Sequence, residues 1–478
     1  MTMVFFDTGS SATATADLRV KMGPARQLSS LDVQLLDAET HSTPLHIGGV
    51  VLLEAQDAPL SIETLRGLFA QRLHLVAPLR RRLRTVPLGL DLPYWQDNSS
   101  IDLDYHVREV SLSGAANEHE LTDLLARLHA VPLDRDQPLW ECHLVSGLPG
   151  GGQAVYLKSH HALIDGLSVA EILAAICDVE PRPSAPSGPA AEILVDHTPG
   201  LVEMLGRSVP NSAARQVERI RALLSSGPAM VRTAADLLKK HPDVPFNRAN
   251  TANRSIAFAS VSLDDVKAVK RRIDGTVNDV VMALCATAIR RWLLDHDDPV
   301  DRPILVAIPV SVRDAGRWGT AGNQFSIMLC DMPVEESDPH ERLELLRERL
   351  VAAKQKFNST PPAMLIEATA LLTPLLNGAP TRVALRAAAP VLPFANALIS
   401  NVPGPQIPLY VAGIRVVACH PISMLTDLAG GLNITVMSYN GKLDFGILAC
   451  PDTVPDANAI AVHLSQALAE LMETPTIV

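Results

Sequence analysis

Strand-type and helix-type apolar patterns alternate on both sides of a proline- and serine-rich break, PRPSAPSGPA at 181–190. This interrupted alternation points to layered α/β units. Before the break, LHIGGVVLLEA (45–55) and AVYLKSHH (154–161) read as strands, and IETLRGLFAQRL (62–73) and LSVAEILAAICDV (167–179) as helices. After it, AARQVERIRALL and AMVRTAADLLKK read as the helices of a linker. From Arg254 the alternation resumes. VNDVVMALCATAIRRWLL (277–294) is a helix, ILVAIPVSVR (304–313) a strand, and ERLELLRERLVAAKQKF (341–357) an amphipathic helix. NITVMSYNGKLDFGILA (433–449) is a hairpin turning at Tyr439-Asn440-Gly441. With 478 residues the chain exceeds what one core usually holds. The expected plan is a flexible extension over 1–25, an N-terminal lobe over 26–180, a Pro-rich and helical linker over 181–253, and a C-terminal lobe over 254–478.

Apolar residues at 47% and aromatics at 4% describe a globular chain rich in Ala, Leu and Val, not a disordered one. A net charge of -11 argues against a nucleic-acid partner, which needs a dominant basic face. The basic runs at Arg80-Arg81-Arg82 with Arg84, and at Lys270-Arg271-Arg272, read as solvated helix faces, or as sites meeting the phosphates of a nucleotide-like carrier. Six cysteines are scattered without metal-ligand spacing, so no metal site is expected, and reduced thiols in a cytoplasmic protein fit best. The N-terminus lacks the features of a secretory signal. No apolar run reaches the length of a membrane span. The segments 368–381 and 387–401, broken by prolines, are expected to be buried helices or a patch lying on a lipid surface.

The run HHALIDG, from His160 to Gly166, carries the chemistry. A neutral imidazole titrating near pH ~6.5 suits removal of a proton from an alcohol. Gly166 permits the turn between strand end and helix start. Asp165 orients the loop through a buried ion pair. Ser168 and Glu171 form a capping box for the helix that follows. The plainer reading is a pair of core histidines beside a helix start. No G-x-S-x-G elbow or phosphate loop is present, so direct attack by an activated acceptor is simpler than an acyl-enzyme route.

HHALIDG matches the HHxxxDG motif shared by coenzyme A-dependent acyltransferases and peptide-synthetase condensation domains. Pro138-Leu139-Trp140-Glu141, Asn278-Asp279 and Ser400-Asn401-Val402-Pro403-Gly404-Pro405 stand in order with it. LSSLDVQLLDAETHSTPLHIGG (28–49) supplies an opening Leu-x-x-x-Asp…Glu…Pro-x-His segment. Together these runs resemble the bacterial wax ester synthase/acyl-CoA:diacylglycerol acyltransferase family, over about residues 28–470. The resemblance implies an α/β fold of two chloramphenicol-acetyltransferase-like lobes, mixed sheets flanked by helices, with an active-site channel between them. It implies no cofactor, acyl-CoA as donor substrate, and diacylglycerol or a long-chain alcohol as acceptor. The protein would be cytoplasmic and would meet a membrane or lipid-droplet surface peripherally.

By this carry-over His161 is the general base, with His160 beside it. Asp165 and Gly166 are structural, and Arg313 is the inferred partner of Asp165. Asn278 donates to the developing oxyanion, although a helix cap is an equal reading from the residues alone. Pro138, Leu139 and Trp140 shape the lobe, as a buried anchor before a strand. Asp279, Ser400, Asn401, Pro403 and Gly404 line the channel, the last four in a turn-rich loop. Two other readings compete. One is a condensation-type transferase drawing on carrier-protein thioesters, opposed by the lack of adjoining carrier or adenylation domains. The other is an inactive lipid-binding paralogue, opposed by the intact His160, His161 and Asp165.

Overall fold

The computed structural model describes residues 20–97, 100–113, 117–164, 172–173, 175–182, 193–215, 217, 243–311, 325–359 and 394–473. The first half contributes α1 (Ser30–Ala38), β1 (His46–Leu53), α2 (Ile62–Arg72), β2 (Val107–Ser111), α3 (Glu118–Ala130), β3 (Trp140–Ser146) and β4 (Gln153–His160). The second half contributes β5 (Ser255–Ser262), α4 (Leu263–Arg272), α5 (Val277–Asp295), β6 (Ile304–Ser311), β7 (Phe325–Met332) and α6 (Pro339–Asn358). It continues with β8 (Ala397–Val402), β9 (Tyr410–Val411), β10 (Ile414–Ile422), β11 (Leu432–Tyr439), β12 (Lys442–Ala449) and α7 (Ala457–Met472).

These strands build two six-stranded mixed sheets, ordered β9-β10-β1-β4-β3-β2 and β5-β12-β11-β8-β6-β7. The first sheet is therefore not confined to the first half of the chain. β10 pairs antiparallel with β1, placing Val51 opposite Cys419 and Gly48 opposite Ile422. The expected lobe boundary at 254 rests on local alternation, which carries no information on which sheet a strand joins. Two further departures concern segments expected to be irregular or helical. Val20–Gly23, inside the extension, pairs parallel with Ile193–Asp196. The end of the 387–401 segment is β8, a strand of the second sheet, buried from Ala397 to Ile399. Residues 387–393 of that segment, and 368–381, lie outside the described residues. The linker is helical over 201–215.

Elsewhere local chemistry sets the elements as the pattern suggests. Asn440 and Gly441, at φ of 42° and 83°, make the two-residue turn that joins β11 to β12. Pro309 sits inside β6, opposite Ile327 of β7. It is tolerated because the β8 pairing on the other edge covers only Val306 and Ala307. The basic runs have structural partners: Arg272 donates to the carbonyls of Leu471 and Met472 at the end of α7. Arg81–Arg84 is a strand rather than a helix face. No helix among the described residues is long and apolar enough to cross a membrane.

β1 and β4 alternate strictly between the faces of the first sheet. Ile47, Val51, Leu53 and Val155 point into a core with Phe69 of α2 and Trp140. Val50, Ala154 and Tyr156 face α3 and, beyond it, Ile256 and Phe258 of β5. On this second face the layer turns polar near the strand ends. Lys158, fully buried, donates to the carbonyls of Leu128 and Val131 (2.8 and 2.9 Å), closing the C-terminus of α3. Glu141 of β3 lies 3.4 Å from Lys158 Nζ and 2.8 Å from Arg108 Nη2.

Burial raises the Glu141 carboxyl, but His143, Lys158 and Arg108 more than offset it and hold it at about 2. A folded value below the unfolded one gives stability that is complete above about pH 4.5 and is lost as pH falls toward 2. Glu141→Gln should cost on the order of 3 kcal/mol at neutral pH by leaving Lys158 buried without its anion. It should also flatten the acid limb of a melting-temperature profile; an acid limb parallel to that of the wild type would contradict this role.

Candidate active site

The histidine pair closes β4, a central strand of the first sheet. His160 is the last strand residue and is buried; its N–H donates to Leu139 O at 2.9 Å. His161 opens a turn closed by Leu163 N–H on His160 O (2.9 Å), and its own N–H donates to Leu45 O at 2.9 Å. His161 is therefore held by backbone on both sides and is only half-buried. The His160 ring folds back over the turn, where Nδ1 accepts the Ala162 N–H at 3.0 Å. A neutral His160 thus carries its proton on Nε2, which faces Glu39 Oε1 at 3.5 Å.

On the opposite face of β4 a small apolar cavity opens toward solvent. Val155, Leu157 and Ser159 form its β4 wall, with Gly49 on β1, Phe69 on α2, and Ile172 and Ile176 opposite. Cys177 and Cys419 also line it, and both are free thiols. Burial, with Asp178 adding to it, pushes the Cys177 thiol up to about 12. Burial also holds Cys419 well above the usual thiol range. Neither is a thiolate nucleophile near neutral pH.

The motif residues of the second sheet converge at the N-terminus of α5. Thr276 and Asp279 form a capping box: Asp279 N–H donates to Thr276 Oγ1 (3.1 Å) and Thr276 N–H to Asp279 Oδ2 (2.7 Å). The Asp279 carboxylate is thereby a cap, not a channel wall. Asn278 is not the cap; its Oδ1 accepts from Asn401 Nδ2 at 3.2 Å. This commits the amide oxygen and leaves Nδ2 as the donating end. Ser400 and Asn401 are the end of β8 rather than a loop, opposite Thr435 and Val436. The loop begins at exposed Pro403. Gly404 donates its N–H to Ser438 Oγ at 3.1 Å, and a Cβ there would lie 2.2 Å from Ser438 O.

Pro138, Leu139 and Trp140 are the buried anchor expected of them. Trp140 Nε1 donates to Leu79 O at 2.7 Å, and its ring lies between those of Phe69 and His106. Asp165, Gly166 and Arg313 lie outside the described residues. Sequence reasoning passed over Glu39, Arg135 and Leu45, which surround the histidine turn. Glu39 belongs to the opening Leu-x-x-x-Asp…Glu…Pro-x-His run, so a signal existed; its reach to His160 did not show.

A histidine pair at the end of a central strand, in one of two mixed sheets of this order, defines the class of two-lobed HHxxxDG acyltransferases. Residues 28–281 match the family model of the wax ester synthase/diacylglycerol acyltransferase catalytic domain, and residues 321–472 that of the WS/DGAT C-terminal domain. A Mycobacterium tuberculosis protein named as a probable diacylglycerol O-acyltransferase is 34% identical over 459 residues, covering 92% of this chain and 97% of its own. The solved wax ester synthase/diacylglycerol acyltransferase from Marinobacter aquaeolei VT8 superposes with a TM-score of 0.68 at 26% identity, covering 93% of this chain and 98% of that one. The first condensation domain of the CDA synthetase shares the fold, with a TM-score of 0.54 at 17% identity over 95% of this chain and 98% of its own. The chain belongs to the wax ester synthase/diacylglycerol acyltransferase family, and it is an O-acyltransferase.

The split within the Asn278-Asp279 pair is measurable. Asp279→Ala should lower stability by about 1 kcal/mol through loss of the capping box. Asn278→Ala, one residue away, should leave the melting temperature unchanged. Equal losses in thermal melts of the two variants would show that Asn278 also holds the helix start.

Proposed function

We propose that the enzyme transfers a long-chain acyl group from acyl-CoA to the hydroxyl of diacylglycerol or a long-chain alcohol, with His161 as general base. One observation carries the reading. His161 is half-buried on a turn held by Leu45 and His160, at the end of the strand whose Leu157 and Ser159 line an apolar cavity. A rigid base beside an apolar cavity suits a long acyl chain attached to a polar carrier.

In the proposed reaction the acceptor oxygen attacks the thioester carbonyl carbon while His161 takes the hydroxyl proton. The carbonyl becomes an oxyanion, and Asn278 Nδ2 is the donor assigned to it. Collapse of this intermediate breaks the carbon–sulfur bond, and the leaving sulfur receives the proton from the imidazolium. Acceptor hydroxyl and thioester become ester and CoA thiol, with no net proton change. Protonated Cys177 and Cys419 favour this direct route over an acyl-cysteine. Substrates of this kind are poorly soluble, so the enzyme is proposed to work peripherally at a membrane or lipid-droplet surface.

Purified protein is to be incubated with palmitoyl-CoA and, separately, diacylglycerol and hexadecanol, with ester and free CoA both measured. His161→Ala should lower turnover by roughly 10²–10⁴-fold in a folded protein. Asn278→Ala should lower it by about 10²-fold, the order seen when one oxyanion donor is removed. Near-full esterification by His161→Ala with either acceptor would overturn the base assignment.

A further inference from the structure

We propose that Glu39 is a positioning residue for His161, acting through the two groups that hold the backbone of the His160–Leu163 turn. The proposal rests on the reading of His161 as the base. Glu39 ends α1, and its side chain is only 9% exposed. Oε2 receives Arg135 Nη2 at 2.7 Å, and the same nitrogen donates to Leu36 O at 2.7 Å, so the carboxylate is anchored to the end of its own helix. Oε1 points the other way. It accepts the Leu45 N–H at 3.4 Å and faces His160 Nε2 at 3.5 Å, with His46 Nε2 at 3.6 Å beside it.

Leu45 and His160 are the two groups that grip the base. The Leu45 carbonyl holds the N–H of His161, and His160 Nδ1 holds the N–H of Ala162. One carboxylate oxygen thus touches both neighbours of the His161 backbone without contacting substrate. It also favours the His160 tautomer with its proton on Nε2, the only neutral form that leaves Nδ1 able to accept from Ala162. Burial pushes the Glu39 carboxyl up, but His160 and Arg135 outweigh it and bring the value to about 2, so an anion stands there near neutral pH. Loss of its charge loosens two supports of one turn together, and small displacements of a catalytic group have large kinetic effects.

The test is a double-mutant cycle read in kcat and KM, with radiolabelled palmitoyl-CoA and hexadecanol and with Glu39→Gln placed in wild type and in His161→Ala. In wild type Glu39→Gln should lower kcat by about 10- to 100-fold while KM for acyl-CoA stays within about 2-fold. In the His161→Ala background the same change should alter the residual rate by less than about 2-fold. A residue that only keeps the chain folded lowers both rates by one factor. Equal factors in the two backgrounds, or a wild-type-like Glu39→Gln, would overturn the proposal. Should Glu39→Gln not fold, Arg135→Gln serves in the same cycle, since its side chain is 40% exposed and the change removes the counter-ion and its bond to Leu36 O while leaving the carboxylate in place. Its expected loss is about 3-fold in wild type and none without His161; equal losses in the two backgrounds, or no loss in wild type, again overturn the proposal. Near-full activity of His161→Ala would defeat the base assignment itself. An inactive His161→Ala beside a fully active Glu39→Gln defeats only the positioning role.

Discussion

A bare backbone contact between two strands ties the two sheets together. Gly446 of β12 passes so close to Pro421 of β10 that a Cβ at 446 would lie 1.7 Å from the Pro421 carbonyl oxygen. Polar groups lock the crossing on either side. Cys419 N–H donates to Asp444 Oδ2 at 2.8 Å, and His420 Nδ1 donates to Phe445 O at 3.0 Å. The His420 ring stacks on Phe258, with centroids 4.4 Å apart, and burial lowers its proton affinity below the usual imidazole range. From this crossing, β10 leads through β1 to β4 and His160, and β12 leads through β11 to β8 and Asn401. Each half of the site stands two strands from the same point, so the relative placement of the two motifs inherits the rigidity of that contact.

The first sheet adds a constraint of its own. The face of β1 and β4 that meets α3 has an apolar middle but a charged end, with Lys158, His46 and His160 all buried. Such groups are tolerated because each finds a partner: Lys158 the end of α3, His46 the carbonyl of His129, and His160 the turn it stands on. Burial is the largest effect on His46 and brings it to about 3, so it is a neutral bridge and not a charge. Glu39 and Glu141 are the two buried anions that balance this end of the sheet.

Local chemistry was legible in the sequence; distant pairing was not. HHALIDG announced a strand end followed by a turn, and Asn440-Gly441 announced the hairpin, because both depend on backbone preferences of adjacent residues. Thr276-x-x-Asp279 carries a capping box in plain view, yet the residues alone leave Asn278 open between helix cap and oxyanion donor. What separates them is Asn401, which stands 123 positions away. The crossing of β10 to the first sheet has no local signature, since its apolar pattern suits either sheet. Glu39 was visible as part of a motif, but its reach to Leu45 and His160 exists only once α1 is packed against the end of β4. The proline-broken apolar run 387–401 reads as a buried helix or a patch on a lipid surface, whereas its residues from Ala397 extend as β8.

The insertion of β10 beside β1 also has a bearing on synthesis. β1, β3 and β4 are all made within the first 160 residues, and once the short β3–β4 hairpin has formed β1 can pair with β4. The other edge of β1 stays open until residues 414–422 have been made, several hundred positions later. At roughly 5–20 residues per second that interval is on the order of tens of seconds. During it the nascent chain carries an unpaired row of backbone donors and acceptors along GGVVLL, an apolar strand without a charge to discourage self-association. For this architecture, solubility while being made is a separate demand from stability once made, and it falls on the nascent first half.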